Sequence, residues 1–532
     1  MHHDDAFTPV NVLEHTIWQM HERMSPEAEL DFVTGLRAYA ERGECAPTVA
    51  ACAGCDIRSH VDASLSRIWR IRYSVDITFP TIAHAERDPR KRLFLENQFP
   101  ECEGLMCVEV ASLGEDSAAN VRTTAAGVEQ IVPWMRRFGA GFTCSSRTPL
   151  SSKMQKNVNC VQSATAATGM SFRDVFAAVR KNAPQEVLLE CVRALLQKVP
   201  GCEMSDADFI TEELRKLNMW ACHTELEATH HGSPVPRDRV WWSAVSGIPA
   251  DLHSTATHTF HKFLRSSRLP NDEGSMLARL KGCFTLDDDL RRAEALRVGF
   301  PLLSSTGAAR LPKLVKGDLD YKLDHYQAFN AMGLAWPPKV TSMPCICHAG
   351  MLPRESEVVY FLNSTWPKMH SALEFIDVNQ SLPRILSDDF AARTCEDPGP
   401  SPWRSVPPTL VGSMKFVLRA EMPNGDIMIR CLEGFEYFRL LGWGDSWFCA
   451  MGCIEHGLKS DEEFIDVATN LAGNAWSGYQ YAAVMMAQIA VSGLYSSNTT
   501  PAAPRGVAKT ADDDHQESSE EEAFSASSSQ SD

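Results

Sequence analysis

From about residue 47 to 245, short apolar runs alternate with longer amphipathic segments. TVAACA (48–53) predicts a strand and DIRSHVDASLSRIWRIRY (56–73) a helix. PTIAHA (80–85) predicts the next strand, followed by a helix over DPRKRLFLENQF (88–99). GLMCVEV (104–110), RFGAGF (137–142), EVLLE (186–190), NMWACHTEL (218–226) and RVWWSAV (239–245) are further strand candidates. This alternation predicts an α/β fold with a mainly parallel sheet covered by helices on both faces. In such a sheet, ligands are expected at the carboxyl ends of the strands.

Residues 1–46 precede this pattern and are expected to form a helical extension. Beyond about 246 the chain becomes irregular and proline-rich, as in EDPGPSPWRSVPP (396–408), which suggests a separate domain over 246–425. Helical patterning returns in CLEGFEYFRLLG (431–442) and NAWSGYQYAAVMMAQIA (474–490), within a segment 426–495. From about 496 to 532 the Ser-, Glu- and Ala-rich composition predicts a disordered acidic tail. No internal repeat is evident.

A chain of 532 residues can hold two or three domains, and 44% apolar with 22% charged residues is ordinary for a globular protein. MHHDDAFTPV has neither a basic nor an apolar signal region, so no secretory signal is expected. No apolar run approaches the roughly 18 residues of a membrane helix. YAAVMMAQIAVSGLY is short, contains Gln488 and suits a buried helix. The expectation is a protein without membrane attachment, inside the cell.

Seventeen cysteines, an odd number scattered over a long chain, point to reduced thiols. CAGC (52–55) and CICH (345–348) look like halves of a zinc site, but no matched second pair accompanies either, so no metal is expected. The net charge is −17, of which eight acids and no Lys or Arg fall between Asp512 and Asp532; without them it is −9. Residues 251–425 carry 20 Lys plus Arg against 19 Asp plus Glu, which permits a local basic groove for nucleic acid.

Some residues suggest chemistry. Cys144 follows the small, apolar RFGAGF and opens the hydroxyl-rich CSSRTPLSS, as a core thiol or as a nucleophile at a pocket mouth. Glu190 ends an apolar run, where an unpaired acid is costly. Arg237 and Arg239, two apart at a strand start, point to one face, as catalytic groups or as solvated charges. LAGNAW (471–476) can be a turn opening a helix.

Together these pieces resemble the C5-cytosine-specific DNA methyltransferase family, over about 47–245 and 425–492. AACAGCD (50–56) stands where the family has its methyl-donor loop, with Gly54 kept from its usual glycine pair and Cys52 at the other position. AHAERDPRKR (83–92) looks like the second motif and MCVEV (106–110) loosely like the third. GFTC is similar to the catalytic-loop motif, with Thr143 where the family has proline; LLECV resembles Glu-Asn-Val, with Cys191 for asparagine. GSPVPRDR (232–239) resembles Gln-x-Arg-x-Arg, with Val235 for glutamine. RCLEGFEYFRLLGWGD (430–445) keeps Glu436, Arg439 and Gly442 of a further motif, and AGNA (472–475) matches the last.

The resemblance implies a Rossmann-like S-adenosylmethionine-dependent methyltransferase fold, with 47–245 as catalytic domain, 246–425 as target-recognition domain and 426–495 returning to the catalytic domain. It implies S-adenosyl-L-methionine as cofactor, held by Ala51, Cys52, Gly54, Asp56, Glu86, Arg87, Glu109 and Asn474. It implies catalysis by Cys144, Glu190, Arg237 and Arg239 on a cytosine flipped out of double-stranded DNA. The address would then be nuclear in a eukaryote. Two alternatives stay open: an RNA (tRNA) cytosine methyltransferase, and an inactive methyltransferase-like protein that binds nucleic acid or regulates. Target sequence and oligomeric state are not legible.

Overall fold

The computed structural model describes residues 9, 11–99, 105–114, 121–123, 129–131, 134–142, 161–163, 166–198, 201–283, 434–444 and 470–497. It also describes short pieces at 309–310, 342–343, 358–362, 403–404, 409–410, 417–421 and 427–431. The expected catalytic loop from Thr143 onward, most of 284–433 and the tail lie outside the described residues.

The chain begins with helices α1 (Val12–Glu22) and α2 (Pro26–Glu41). Each starts on a polar cap: the Asn11 side chain accepts from the Glu14 amide, and Ser25 accepts from the Ala28 amide with Pro26 at the first turn. Strand β1 (Thr48–Ala51), helix α3 (Ile57–Tyr73), β2 (Thr81–Ala85), α4 (Pro89–Gln98), β3 (Met106–Cys107) and the single turn α5 (Ala111–Gly114) follow. A small hairpin, β4 (Val121–Thr123) and β5 (Glu129–Ile131), precedes β6 (Arg137–Gly141), α6 (Ala167–Asn182) and β7 (Glu186–Val192). Then come α7 (Asp206–Arg215), β8 (Met219–Glu227), β9 (Asp238–Ser246), α8 (His253–Ser266) and α9 (Glu273–Cys283). Short strands beyond residue 300 lead to α10 (Gly434–Leu440) and α11 (Gly478–Tyr495).

Seven strands form one sheet in the order β3-β2-β1-β6-β7-β9-β8. The pairs β3–β2, β2–β1, β1–β6 and β6–β7 are parallel; β9 runs antiparallel to both β7 and β8. The chain thus works outward from β1 in both directions, so the carboxyl ends of β1 and β6 lie side by side where the strand order reverses. That is where an open α/β sheet leaves a crevice. The α/β expectation is met, and the five-stranded parallel part carries helices on both faces.

One face is covered by α1–α4 and α8–α11, whose apolar residues share a single core with Trp220, Trp241 and Val245 of the sheet. The other carries α5, α6 and α7, with Leu113, Phe172, Val175, Ile210 and Leu214 packed on Val187, Leu189 and Trp242. α8 packs against α2, α11 and β8. Helices far apart in sequence also meet, because α11 lies against α1, α2 and α3.

α11 is apolar all round and buried from Gly478 to Ser492, as its sequence suggested. No helix among the described residues is long and apolar enough to cross a membrane. Its two glutamines bind the sheet instead: Gln480 donates to the Leu226 and Arg237 carbonyls (2.7 Å each), and Gln488 donates to that of Val187 (3.0 Å). α2 and α11 touch backbone to backbone at Gly35 and Gly493. A Cβ at Gly35 would stand 2.6 Å from the Ala490 carbonyl oxygen, and one at Gly493 would collide with the Gly35 carbonyl. Below the crossing, Glu186 of β7 accepts from Tyr39 (3.0 Å) and Ser492 (2.9 Å) and pairs with Arg137 (3.2 Å), all buried.

Candidate active site

The loop after β1 turns sharply. Cys52 (φ 51°), Gly54 (φ 59°) and Asp56 (φ 46°) all adopt left-handed backbone. Glycine accepts this conformation freely, whereas the other two positions cost on the order of 1–3 kcal/mol each. The Gly54 amide donates to Glu86 Oε2 (2.8 Å), and the Asp88 amide donates to Glu86 Oε1 (3.0 Å). Glu86, just past β2, therefore ties the two loops together, and is itself buried.

Asp56 opens α3 without capping it. Its carboxylate faces Arg58 (3.1 and 3.2 Å) and His84 Nε2 (2.9 Å), all buried. Burial alone would raise its pKa, but the Arg58 charge and the His84 bond prevail and hold it below the usual carboxylate range. Arg58 also lies 3.8 Å from Asp62 and donates to Thr81 (2.9 Å). Asp56 is thus engaged inside the fold as well as lining the crevice. Cys52 and Cys55 are free thiols, each pushed up to about 12, by burial first and by the nearby acids Glu86 and Asp56 respectively. No group of three or more metal-binding side chains occurs among the described residues.

A narrow cleft is lined by Ala51, Cys52, Asp56 and Asn474, with Arg58 and Trp476. The sequence candidates from the β1 loop and from the segment before α11 therefore meet in one place. Glu86 reaches the cleft's loop through Gly54. Arg87 and Glu109 do not line it; they pair with each other at 3.3 Å, both exposed.

Glu190 and Arg239 form the second cluster. β7 sets Glu190 beside Gly141 on one flank and Trp241 on the other, and Arg239 sits two pairs further on, opposite Val192. Arg239 Nε lies 2.7 Å from Glu190 Oε1, with both side chains largely buried. The pair stands at the carboxyl edge of the parallel strands, next to the end of β6. Cys144 lies outside the described residues, two positions after Phe142.

Arg237 has a different place. It precedes β9, is buried, and donates to the carbonyls of Leu410 (3.1 Å), Gly473 (3.2 Å) and Ala475. It anchors the segment before α11 and does not join the Glu190–Arg239 pair. The replaced motif residues are packed: Cys191 is buried and donates to the Phe142 carbonyl (3.9 Å), and Val235 is buried in a turn held by the Ser233 hydroxyl (2.8 Å).

Sequence reasoning missed Trp476. Its indole lies on the face of β6 that carries Gly139 and Gly141. A Cβ at Gly139 would stand 3.3 Å from its Cη2, and one at Gly141 would stand 2.5 Å from its Nε1 and 3.5 Å from Glu190 Oε2. The alternate glycines of RFGAGF are the signal, since they clear one strand face for a large ring. Trp241 packs edge-on at 5.0 Å and Tyr481 lies at 5.4 Å from the ring.

S-Adenosylmethionine fits this cleft in chemistry and not in space. The backbone amides, the Glu86 carboxylate and Asn474 suit a polar nucleoside, but the cavity holds about 20 Å³. That is room for one water, against several hundred Å³ for a ligand of this size. A roomier cavity of about 700 Å³, between α1 and α9, is lined by none of the candidate residues.

The sheet order, the single antiparallel strand β9 and the crevice after β1 give the chain a Rossmann-like α/β fold. Two solved structures are similar to it. One is the Dnmt2 methyltransferase of S. pombe, at 11% identity and a TM-score of 0.40, covering 83% of this chain and 97% of the other. The second is a candidate DNA modification methyltransferase encoded within a prophage of E. coli, at 12% identity and a TM-score of 0.38, covering 83% and 98%. Likenesses of this degree decide nothing about substrate or chemistry. No protein-family model matches the sequence, and no curated protein matches it either.

Proposed function

We propose that the chain is an S-adenosylmethionine-dependent methyltransferase acting on C5 of cytosine in DNA. The observation that carries this reading is the Glu190–Arg239 pair, 2.7 Å apart beside the end of the strand that leads to Cys144. Cytosine C5 is a poor nucleophile until a group adds to C6. Addition of a Cys144 thiolate forms the S–C6 bond and pushes electrons toward N3 and O2. Glu190 would hold a proton at N3, and Arg239 would stabilise charge at O2 while fixing the Glu190 carboxyl. When bound, S-adenosylmethionine supplies an electrophilic methyl group. After transfer, loss of the C5 proton and expulsion of the thiolate would restore the enzyme. The reading requires the base to leave its duplex, because these ring atoms are inaccessible inside the stack.

A DNA oligonucleotide carrying 5-fluorocytosine tests the reading, since fluorine at C5 blocks the last elimination. A covalent adduct that requires S-adenosylmethionine and disappears in Cys144→Ser, with Tm unchanged within about 1 °C, is the expected outcome. An adduct that persists in Cys144→Ser would remove the thiol from its role, and an adduct on RNA alone would move the substrate. One observation favours a second reading, a methyltransferase-like protein without turnover: the donor cleft as it stands is too small for its ligand.

A further inference from the structure

We propose that Trp476 is an internal plug of the donor cleft, so that the chain rests in a closed state and binds donor only after the indole swings out. The proposal rests on reading the cleft as the donor site. Three observations lead to it. First, the cleft is lined by donor-site candidates from two distant parts of the chain, yet holds about 20 Å³. Second, one of the side chains lining it is Trp476, whose ring covers Gly139 and Gly141, where a Cβ on Gly141 would also stand 3.5 Å from Glu190 Oε2. A single ring thereby borders the donor cleft and lies over Gly141, the strand neighbour of Glu190. Third, the ring is only partly buried while Ala475 and Ser477 on either side of it are buried. The side chain can rotate while its backbone stays anchored through Arg237 to the Gly473 and Ala475 carbonyls.

The ring's contacts with Trp241 and Tyr481 set the equilibrium between the two states. A ligand that binds only the open state has its apparent affinity lowered by the fraction of open molecules. If one molecule in ten or fewer is open, removing the ring tightens binding about tenfold or more. Anything that packs better against the swung-out indole than against the seated one, a flipped base above all, would relieve the closure.

The test is calorimetric titration of S-adenosylmethionine into the full chain, comparing the native protein with Trp476→Ala and with Trp476→Val. At least about tenfold tighter binding in both variants is expected, and binding should be lost when Glu86→Ala is added. Equal binding by native and variant chains, abolished by Glu86→Ala, would keep the donor cleft and overturn the plug. Binding by neither would overturn both. Unfolding of both variants, seen by circular dichroism, would make the indole a core residue and likewise overturn the plug.

Discussion

Glu227 and Asp56 are two carboxylates whose surroundings push their protons in opposite directions. Glu227, at the end of β8, accepts from the amides of Arg237 (2.9 Å) and Thr229 (3.2 Å) beside Asp238. Burial, reinforced by Asp238, pushes its carboxyl from the ordinary 4.5 up to about 7. The folded state therefore holds this proton more tightly than the unfolded one. The resulting stabilisation is complete below about pH 4.5 and is lost as pH rises through 7. Glu227→Gln removes the titration but keeps an acceptor, so its Tm should exceed the native value at pH 8 and converge with it near pH 5. An unchanged difference across that range in thermal melts would exclude the effect. Asp56 has the opposite sign: its pKa is lowered, so its contribution is present above the usual carboxylate range and fades as acid is added below it. Glu190 was legible in the sequence because an acid closing an apolar run needs a partner, and Arg239 is that partner. Trp476 was not, because its meaning depends on two glycines some 335 positions earlier that share a strand face.

Among elements, the segment between Leu471 and Ser477 and the helix it opens show how a short motif is held. Arg237 supplies donors to the Gly473 and Ala475 carbonyls there and to that of Leu410, and Gln480 binds the carbonyls of Leu226 at the end of β8 and of Arg237 just before β9. Arg237→Met would leave those carbonyls buried without donors, at about 1–3 kcal/mol for each one not satisfied elsewhere. A fall in Tm of about 5 °C or more is expected by scanning fluorimetry; a smaller one would mean that α11 positions the segment unaided. The main strands were legible as apolar runs, but their direction was not, because nothing in RVWWSAV marks it as antiparallel. GLMCVEV was expected to be a longer strand, yet only Met106 and Cys107 join the sheet, at an edge with a partner on one side. α7 has its signal in the Ser205–Asp208 capping box, which a search for apolar runs passes over. α8 escaped notice because Thr, Ser and His dominate its exposed face, while Phe260, Phe263 and Leu264 form the buried stripe.

At the scale of the whole molecule, α1 and α2 are part of the core. Leu13, Ile17, Met20, Phe32, Leu36 and Tyr39 are almost wholly buried in the cluster that contains α11. At about 1.5–3 kcal/mol for each such side chain, their burial amounts to on the order of 10 kcal/mol, comparable with the entire stability of a domain. A chain starting at residue 47 is expected to lose its cooperative melt and aggregate, as circular dichroism and size-exclusion chromatography would show. A soluble fragment melting within about 5 °C of the full chain would disprove that dependence. The sequence suggested an extension because those helices carry no family motif, and motifs mark chemistry, not packing.

The glycine contact between Gly35 and Gly493 has a temporal consequence. A ribosome adds about 5–20 residues per second, so α2 emerges about 20–90 s before α11 exists to cover it. During that interval Phe32 and Tyr39 of α2 can already meet Trp69 and Phe79, but the part of the helix around Gly35 lacks its native cover. The final docking step must then bring α2 and α11 into a junction that tolerates not even one extra methyl group. Premature association of α2 with another growing copy is the error this architecture invites, and a chaperone that shields nascent apolar segments is what it calls for.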